Sequence, residues 1–247
     1  MSRFCWSLLP GILFALLVGS ATAGVLPHGA SNQGESLRSQ GLDATLARRA
    51  FMAGLDAFEE EEFDLARRYW EPVALHGHVR SQYYMGLLSD SHGLQADPVQ
   101  AAIWFRMAAQ QGMPEAQHKL ALAYARGDGV VQNLPRAMRW WLRAAQQGNT
   151  ESQYNLGVIY TLGENGITRD THKAAHWWRQ AALSGDPMAQ YNLGTLYASG
   201  DAGRTDLCQA LHWWQRSRQN GFEQAEVALR SIQGQRAIRQ CRTQASR

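Results

Sequence analysis

Residues 116–148 read AQHKLALAYARGDGVVQNLPRAMRWWLRAAQQG, and the fold turns on this stretch. Ala116, Leu120, Ala121 and Tyr124 are spaced so that they fall on one face of a helix. Gly127-Asp128-Gly129 then interrupts the pattern with turn residues. Asn133 stands where a second helix should begin and can accept hydrogen bonds from its free backbone amides. Ala137, Trp140-Trp141 and Ala144-Ala145 share a face of that second helix, and Gly148 supplies the left-handed residue that ends it. The stretch is a pair of amphipathic helices whose two apolar stripes are too much for one pair to bury.

The same unit recurs on both sides. Aromatic pairs fall at Trp104-Phe105, Trp140-Trp141, Trp177-Trp178 and Trp213-Trp214, their first members 36, 37 and 36 residues apart, and a fainter pair, Tyr69-Trp70, stands 35 earlier. Gln82, Gln117, Gln153 and Gln190 open successive units, followed at fixed spacing by Met85, Leu120, Leu156 or Leu193. A small residue comes next, Gly86, Ala121, Gly157 or Gly194, and then Tyr124, Tyr160 and Tyr197, with Ser89 as the exception. Asp97, Asn133, Asp170 and Asp206 precede the second helices, and Gly112, Gly148, Gly185 and Gly221 close them. A period of this length marks a stacked array in which each unit buries its faces against its neighbours. The expected fold is therefore all-α, a right-handed superhelical solenoid of antiparallel helix pairs. Its divisions are a first helix pair at 45–78, units at 79–112, 113–148, 149–185 and 186–221, and a capping half-repeat with a basic tail at 222–247. Trp140, Trp177 and Trp213 are expected in the core beside the small residues, with the second member of each pair half exposed.

In combination, Ala116-Gln117, Leu120-Ala121, Tyr124, Gly127-Asp128-Gly129-Val130, Asn133, Ala137, Trp140-Trp141, Ala144-Ala145 and Gly148 resemble the Sel-one-like repeat, a branch of the tetratricopeptide superfamily. The resemblance runs from about Val79 to Gly221. Leu46 to Gly77 is similar to an ordinary tetratricopeptide unit through Gly54, Ala66 and Trp70, and the first full unit departs through Ser89 and its His92-Gly93-Leu94 loop. The resemblance implies a non-enzymatic scaffold that holds another protein, since exported bacterial members of the family serve as adaptors of the cell envelope. Cysteine-rich relatives associated with β-lactams carry a cysteine pair in each repeat, and here only Cys208 could fit such a pattern.

The chain has 247 residues and a net charge of +3 from 24 basic and 21 acidic residues. That balance lacks the strongly basic face of a nucleic-acid binder. Arg3, the apolar run Leu8 to Val18 and Ala21-Thr22-Ala23 read as a secretory leader cut after Ala23, which predicts a periplasmic or secreted protein. No stretch approaches the ~20 apolar residues of a membrane span. Leu26 to Ser39, within a flexible segment at 24–44, is too poor in apolar residues to pack. Cys5 falls in the leader, so Cys208 and Cys241 remain as an even pair, expected to form a disulfide that clamps the capping helix onto the array, with free thiols or an intermolecular bridge as the alternative. No nucleophile elbow, phosphate loop or cofactor motif is present, so neither catalysis nor a cofactor is expected.

The candidate site is a column on the first helices. Two residues before each Leu or Met stand Tyr83, His118, Tyr154 and Tyr191, with Phe51 and Val227 as their terminal equivalents. Such rings can anchor a partner protein or peptide on the concave face, or they can pack between repeats. Arg80, Glu115, Glu151 and Arg126 could add charged contacts. His172 and His176 are four apart, with His212 equivalent to His176 in the next unit, but the Glu of a zinc protease is missing and a solvated surface is the better reading. His76 and His78 read as helix caps. A carbohydrate- or peptidoglycan-binding module is the main alternative, and exposure of Trp141 and Trp178 would favour it. A metal-dependent or β-lactam-directed enzyme is the second.

Overall fold

A computed structural model of the chain describes residues 43–90 and 96–231, together with 235, 236, 238, 239 and 241. The expected leader, the segment up to residue 42, the loop at His92-Gly93-Leu94 and the tail residues Arg242 and Arg247 lie outside the described residues. Within them every regular element is a helix: α1 (Ala44–Glu59), α2 (Phe63–Leu75), α3 (Val79–Asp90), α4 (Pro98–Gln110), α5 (Pro114–Arg126), α6 (Leu134–Gln146), α7 (Thr150–Leu162), α8 (Thr171–Leu183), α9 (Pro187–Ser199), α10 (Leu207–Gln219) and α11 (Glu223–Arg230). Odd-numbered helices open the units and even-numbered helices close them. The heaviest packing lies within each pair, and the next heaviest joins a closing helix to the opening helix of the following unit. Contacts that run along the series in this way make a solenoid.

The helix boundaries follow from the capping residues. The Asp97, Asn133, Asp170 and Asp206 side chains each accept from backbone amides in the first turn of α4, α6, α8 and α10. Asn149 and Asp186 do the same for α7 and α9. At the other end Gly148 takes φ +90° just beyond α6, where a side chain would be strained.

The aromatic pairs are oriented differently from the expectation. It is the second member that is inserted: Trp141 is 1% exposed and Trp178 2%, whereas Trp140 and Trp177 are only half-buried. In the last unit both Trp213 and Trp214 are buried, as are Trp104 and Phe105 in the first. Ala137, Trp141 and Ala145 form an i, i+4, i+8 row along α6, so Trp141 continues the Ala stripe while Trp140 sits at its margin. The small residue of the opening helix gives these rings their space. A Cβ at Gly157 would come within 2.3 Å of the Trp178 ring, and one at Gly54 within 2.2 Å of Trp70. Trp70 and Trp178 also donate through Nε1 to the carbonyls of Phe51 and Tyr154, at 3.0 and 3.1 Å.

A ladder of buried glutamines ties the units together. Gln82, Gln117, Gln153 and Gln190 each donate from Nε2 to a carbonyl near the end of the preceding closing helix, those of Ala74, Ala109, Ala145 and Ala182. Three of them also accept from the C-cap of their own unit's closing helix: Gln111 donates to Gln82 (2.8 Å), Gln147 to Gln117 (2.9 Å) and Asn220 to Gln190 (3.0 Å). At the fourth rung the equivalent residue is Ser184, too short to reach, and Gln153 Oε1 is buried without a partner. Ser184→Gln is expected to complete the ladder and stabilise the array by about 0.5–1.5 kcal/mol. An increased urea midpoint would show it, and the same increase in a Gln153→Leu background would show that the new side chain acts elsewhere.

Cys208, at the start of α10, is joined to Cys241 by a disulfide with a Cα–Cα distance of 5.6 Å. The expected bond is therefore intramolecular, and it fastens Cys241, beyond α11, to the last full unit.

Candidate functional site

Each residue of the expected column lies three positions before the small residue of its helix, on the side that faces the next unit. His118 reaches from α5 to α7, with Nδ1 2.9 Å from Ser152 Oγ and Nε2 3.1 Å from Glu151 Oε2. His118 is 5% exposed and Tyr154 9%. Tyr83 and Tyr191 are half-buried, Tyr83 against Tyr84 and Phe105, and Tyr191 against Phe222. Phe51 is buried among Trp70, His78 and Tyr84, and Val227 on α11 is 71% exposed. The column thus runs along the seams between units. Burial pushes the Tyr83 hydroxyl up, with Glu115 adding to it, and raises Tyr154 to about 12.

The charged residues expected beside the column are more accessible. Glu115 is half-buried and Glu151 exposed. Arg80 is half-buried, its guanidinium 6.0 Å from the centre of the Phe51 ring, and Arg126 lies exposed at the end of α5, 3.9 Å from Asp128. A further row was not read from the sequence. Leu87, Leu122, Val158 and Thr195, each one residue after the small position, are half-buried on α3, α5, α7 and α9, with Tyr84, Lys119 and Asn192 nearby at the equivalent position of three units. The available signal was an apolar residue at the same position in three of four units.

Ser152, His118 and Glu151 follow the order of an acyl-transfer triad, but Ser152 is fully buried and its hydroxyl faces the ring. The group works as a seam between units. Burial, with Lys119 and Arg126 nearby, pushes His118 down to about 3, so at neutral pH the ring is uncharged. A carboxylate only accepts, which assigns the proton to Nε2, toward Glu151, and leaves Nδ1 to accept from the Ser152 hydroxyl. His78 is pushed down to about 4 by burial and then by Arg80, and its Nδ1 accepts from the backbone of Ser81 at the start of α3. His76 donates to the Pro72 carbonyl at the end of α2. Both histidines are caps.

The two buried rings carry a pH dependence. Unfolded, each titrates near 6.5, well above its folded value, so the unfolded chain binds more protons as the pH falls through that range. Stability is full above about pH 6.5 and is lost progressively toward pH 4. The urea midpoint should drop between about pH 7.5 and pH 5, and His118→Gln should reduce the slope. A midpoint that stays level across that interval would remove this account.

His172 and His176 are exposed on α8 and His212 on α10, and among the described residues no three His, Cys, Asp or Glu side chains are placed to share an ion. Trp141 and Trp178, whose exposure would have favoured the carbohydrate reading, are buried. No helix among the described residues is long and apolar enough to cross a membrane.

The repeat is also found by comparison. The profile described as Sel1 repeat matches residues 79–113, 114–149, 150–186 and 187–222. This chain belongs to the Sel1 repeat family. Its Sel1 repeats superpose on a Sel1 repeat protein from Oxalobacter formigenes with a TM-score of 0.68 and 25% identity, over 72% of this chain and 74% of that one. They also match c5321, a protective antigen of uropathogenic Escherichia coli strains with an SLR fold, with a TM-score of 0.70 and 28% identity over 85% of this chain. The match spans about half of that longer protein, 48% of its length. No curated protein sequence matches. Sel1 repeat proteins are in general scaffolds for protein–protein interaction and typically not catalysts.

Proposed function

We propose that this Sel1 repeat protein is exported and holds a protein partner along the face formed by its opening helices. The observation that carries the reading is the recurring row Leu87, Leu122, Val158 and Thr195, partly exposed at the same position of four successive opening helices. Apolar contact there is flanked by the half-buried rings of Tyr83 and Tyr191 and by Arg80, Glu115, Glu151 and Arg126, an arrangement suited to a segment lying across several units. His118 and Tyr154 support the face from beneath by fixing the spacing of neighbouring helices. Export is supported by the N-terminal leader pattern and by the Cys208–Cys241 disulfide, a bond that persists in oxidising compartments.

The test is to introduce Leu122→Glu together with Val158→Glu. Both side chains lie outside the fully buried core, so helicity by circular dichroism should be retained. Recovery of the partner from the envelope fraction should fall at least ~10-fold, the loss expected when charge enters the apolar centre of an interface. Unchanged recovery with the fold intact would overturn the reading. For export, the mass of the protein from the periplasmic fraction should correspond to a chain starting at Gly24, and an intact leader there would contradict it.

A further inference from the structure

The last three closing helices carry charge of one sign. α6 contains Arg136, Arg139 and Arg143, α8 contains Lys173 and Arg179, α10 contains Arg216 and Arg218, and none of these three helices contains an Asp or Glu. The opening helices differ, since α5, α7 and α11 contain Glu115, Glu151, Glu223 and Glu226. On α6 the side chains of Arg136, Arg139, Trp140 and Arg143 fall on one face, at i, i+3, i+4 and i+7. The same positions hold Lys173, His176, Trp177 and Gln180 on α8, and Gln209, His212, Trp213 and Arg216 on α10. The indoles therefore form a row across three units, bordered by cations and imidazoles. On α4 the equivalents are Gln100, Ile103, Trp104 and Met107, so the charged stripe begins at α6.

Arg143 lies over the Trp140 ring, 4.6 Å from its centre, and Arg216 lies 5.5 Å from that of Trp213. A guanidinium stacked on an indole keeps its N–H donors in its own plane, at the edge, where they can grip an oxyanion with two bonds. Arg136, Arg139 and Arg143 have no acidic partner among the described residues, while Lys173 is paired with Asp170 and Arg218 with Glu226. Arg143 over Trp140 and Arg216 over Trp213 each occupy a face of the indole and present the guanidinium edge beside it. The overall charge of +3 is also small for a nucleic-acid binder.

We infer that the stripe over α6, α8 and α10 is a second docking surface, for an acidic segment of a protein partner, its carboxylates taken by Arg136, Arg139, Arg143 and Arg216. Successive closing helices are joined through the opening helix that packs between them, so the occupant has to be an extended segment long enough to cross from one unit to the next. This surface is independent of the opening-helix face, since it lies on other helices.

The test uses the full mature chain and a fluorescein-labelled oligoglutamate peptide, read by anisotropy at low and physiological salt. Binding should weaken steeply with salt. Arg139→Gln with Arg143→Gln should weaken it at least ~10-fold, whereas Glu115→Gln with Glu151→Gln should leave it unweakened. Circular dichroism and the urea midpoint confirm that each variant is folded. Absence of binding at low salt, or equal binding by the Arg139→Gln/Arg143→Gln variant, would overturn the inference. So would a preference for phosphatidylglycerol vesicles or polyuronate over the peptide, which would assign the stripe to a membrane or a polysaccharide.

Discussion

Replacing Trp178 with alanine is expected to destabilise the protein by about 3–5 kcal/mol, the cost of emptying a buried indole site that the surrounding helices cannot refill. Trp178 is 2% exposed, lies against Gly157 and donates to the Tyr154 carbonyl. Three losses therefore combine: buried apolar area, packing contacts across α7 and α8, and a buried hydrogen bond. Trp177→Ala is the matched control, because its ring is only half-buried between units and should cost less than half as much. Urea denaturation followed by far-ultraviolet circular dichroism on both variants measures the difference. If Trp177→Ala were the costlier change, the assignment of the second aromatic to the core would be wrong. Gly157→Leu probes the same contact from the other side, since even its Cβ would overlap the Trp178 ring.

Opening the Cys208–Cys241 disulfide should have an effect of similar size but a different reach. It closes a loop with a sequence separation of 33, for which chain entropy gives roughly 3–4 kcal/mol. In a solenoid that loss stays local, because each unit contacts only its neighbours. Cys208→Ser with Cys241→Ser should therefore speed amide exchange in α11 and the adjacent part of α10, and open the tail to protease, while α5 to α8 remain protected. Exchange rates that rise equally along the whole chain would mean that the bond supports the array globally. Exchange unchanged in α11 would mean that the terminal helix holds without it.

The repeat could be read from residues alone because each unit must satisfy the same packing problem at the same spacing. Capping residues were legible for a related reason: Asp97, Asn133, Asp170 and Asp206 each stand immediately before an apolar-periodic run. Which of two adjacent aromatics enters the core was harder, since i+3 and i+4 lie on either side of the same stripe. The row Ala137, Trp141, Ala145 contained the answer, and Trp178 repeats it with Ala174 and Ala182. The column from Tyr83 to Tyr191 was visible as a periodic feature, but its burial depends on how closely one unit lies against the next. His118 meeting Ser152 and Glu151 is a contact between units that no single helix pattern reports. The gap at Ser184 follows the same logic, because a missing hydrogen-bond donor becomes apparent only when the glutamine it should reach is known to be buried.

The row Leu87, Leu122 and Val158 carries the functional claim, and it can be tested in the producing cell. A photo-crosslinking amino acid placed at Leu122 or Val158 leaves the deeper core untouched, and mass spectrometry then identifies what is captured. One recurrent protein adduct is expected from both positions, reduced by Glu at the neighbouring one, with Leu183 at the end of α8 as an exposed control that gives none. A folded protein that yields no adduct from Leu122 and Val158, or the same adduct from Leu183, would contradict it.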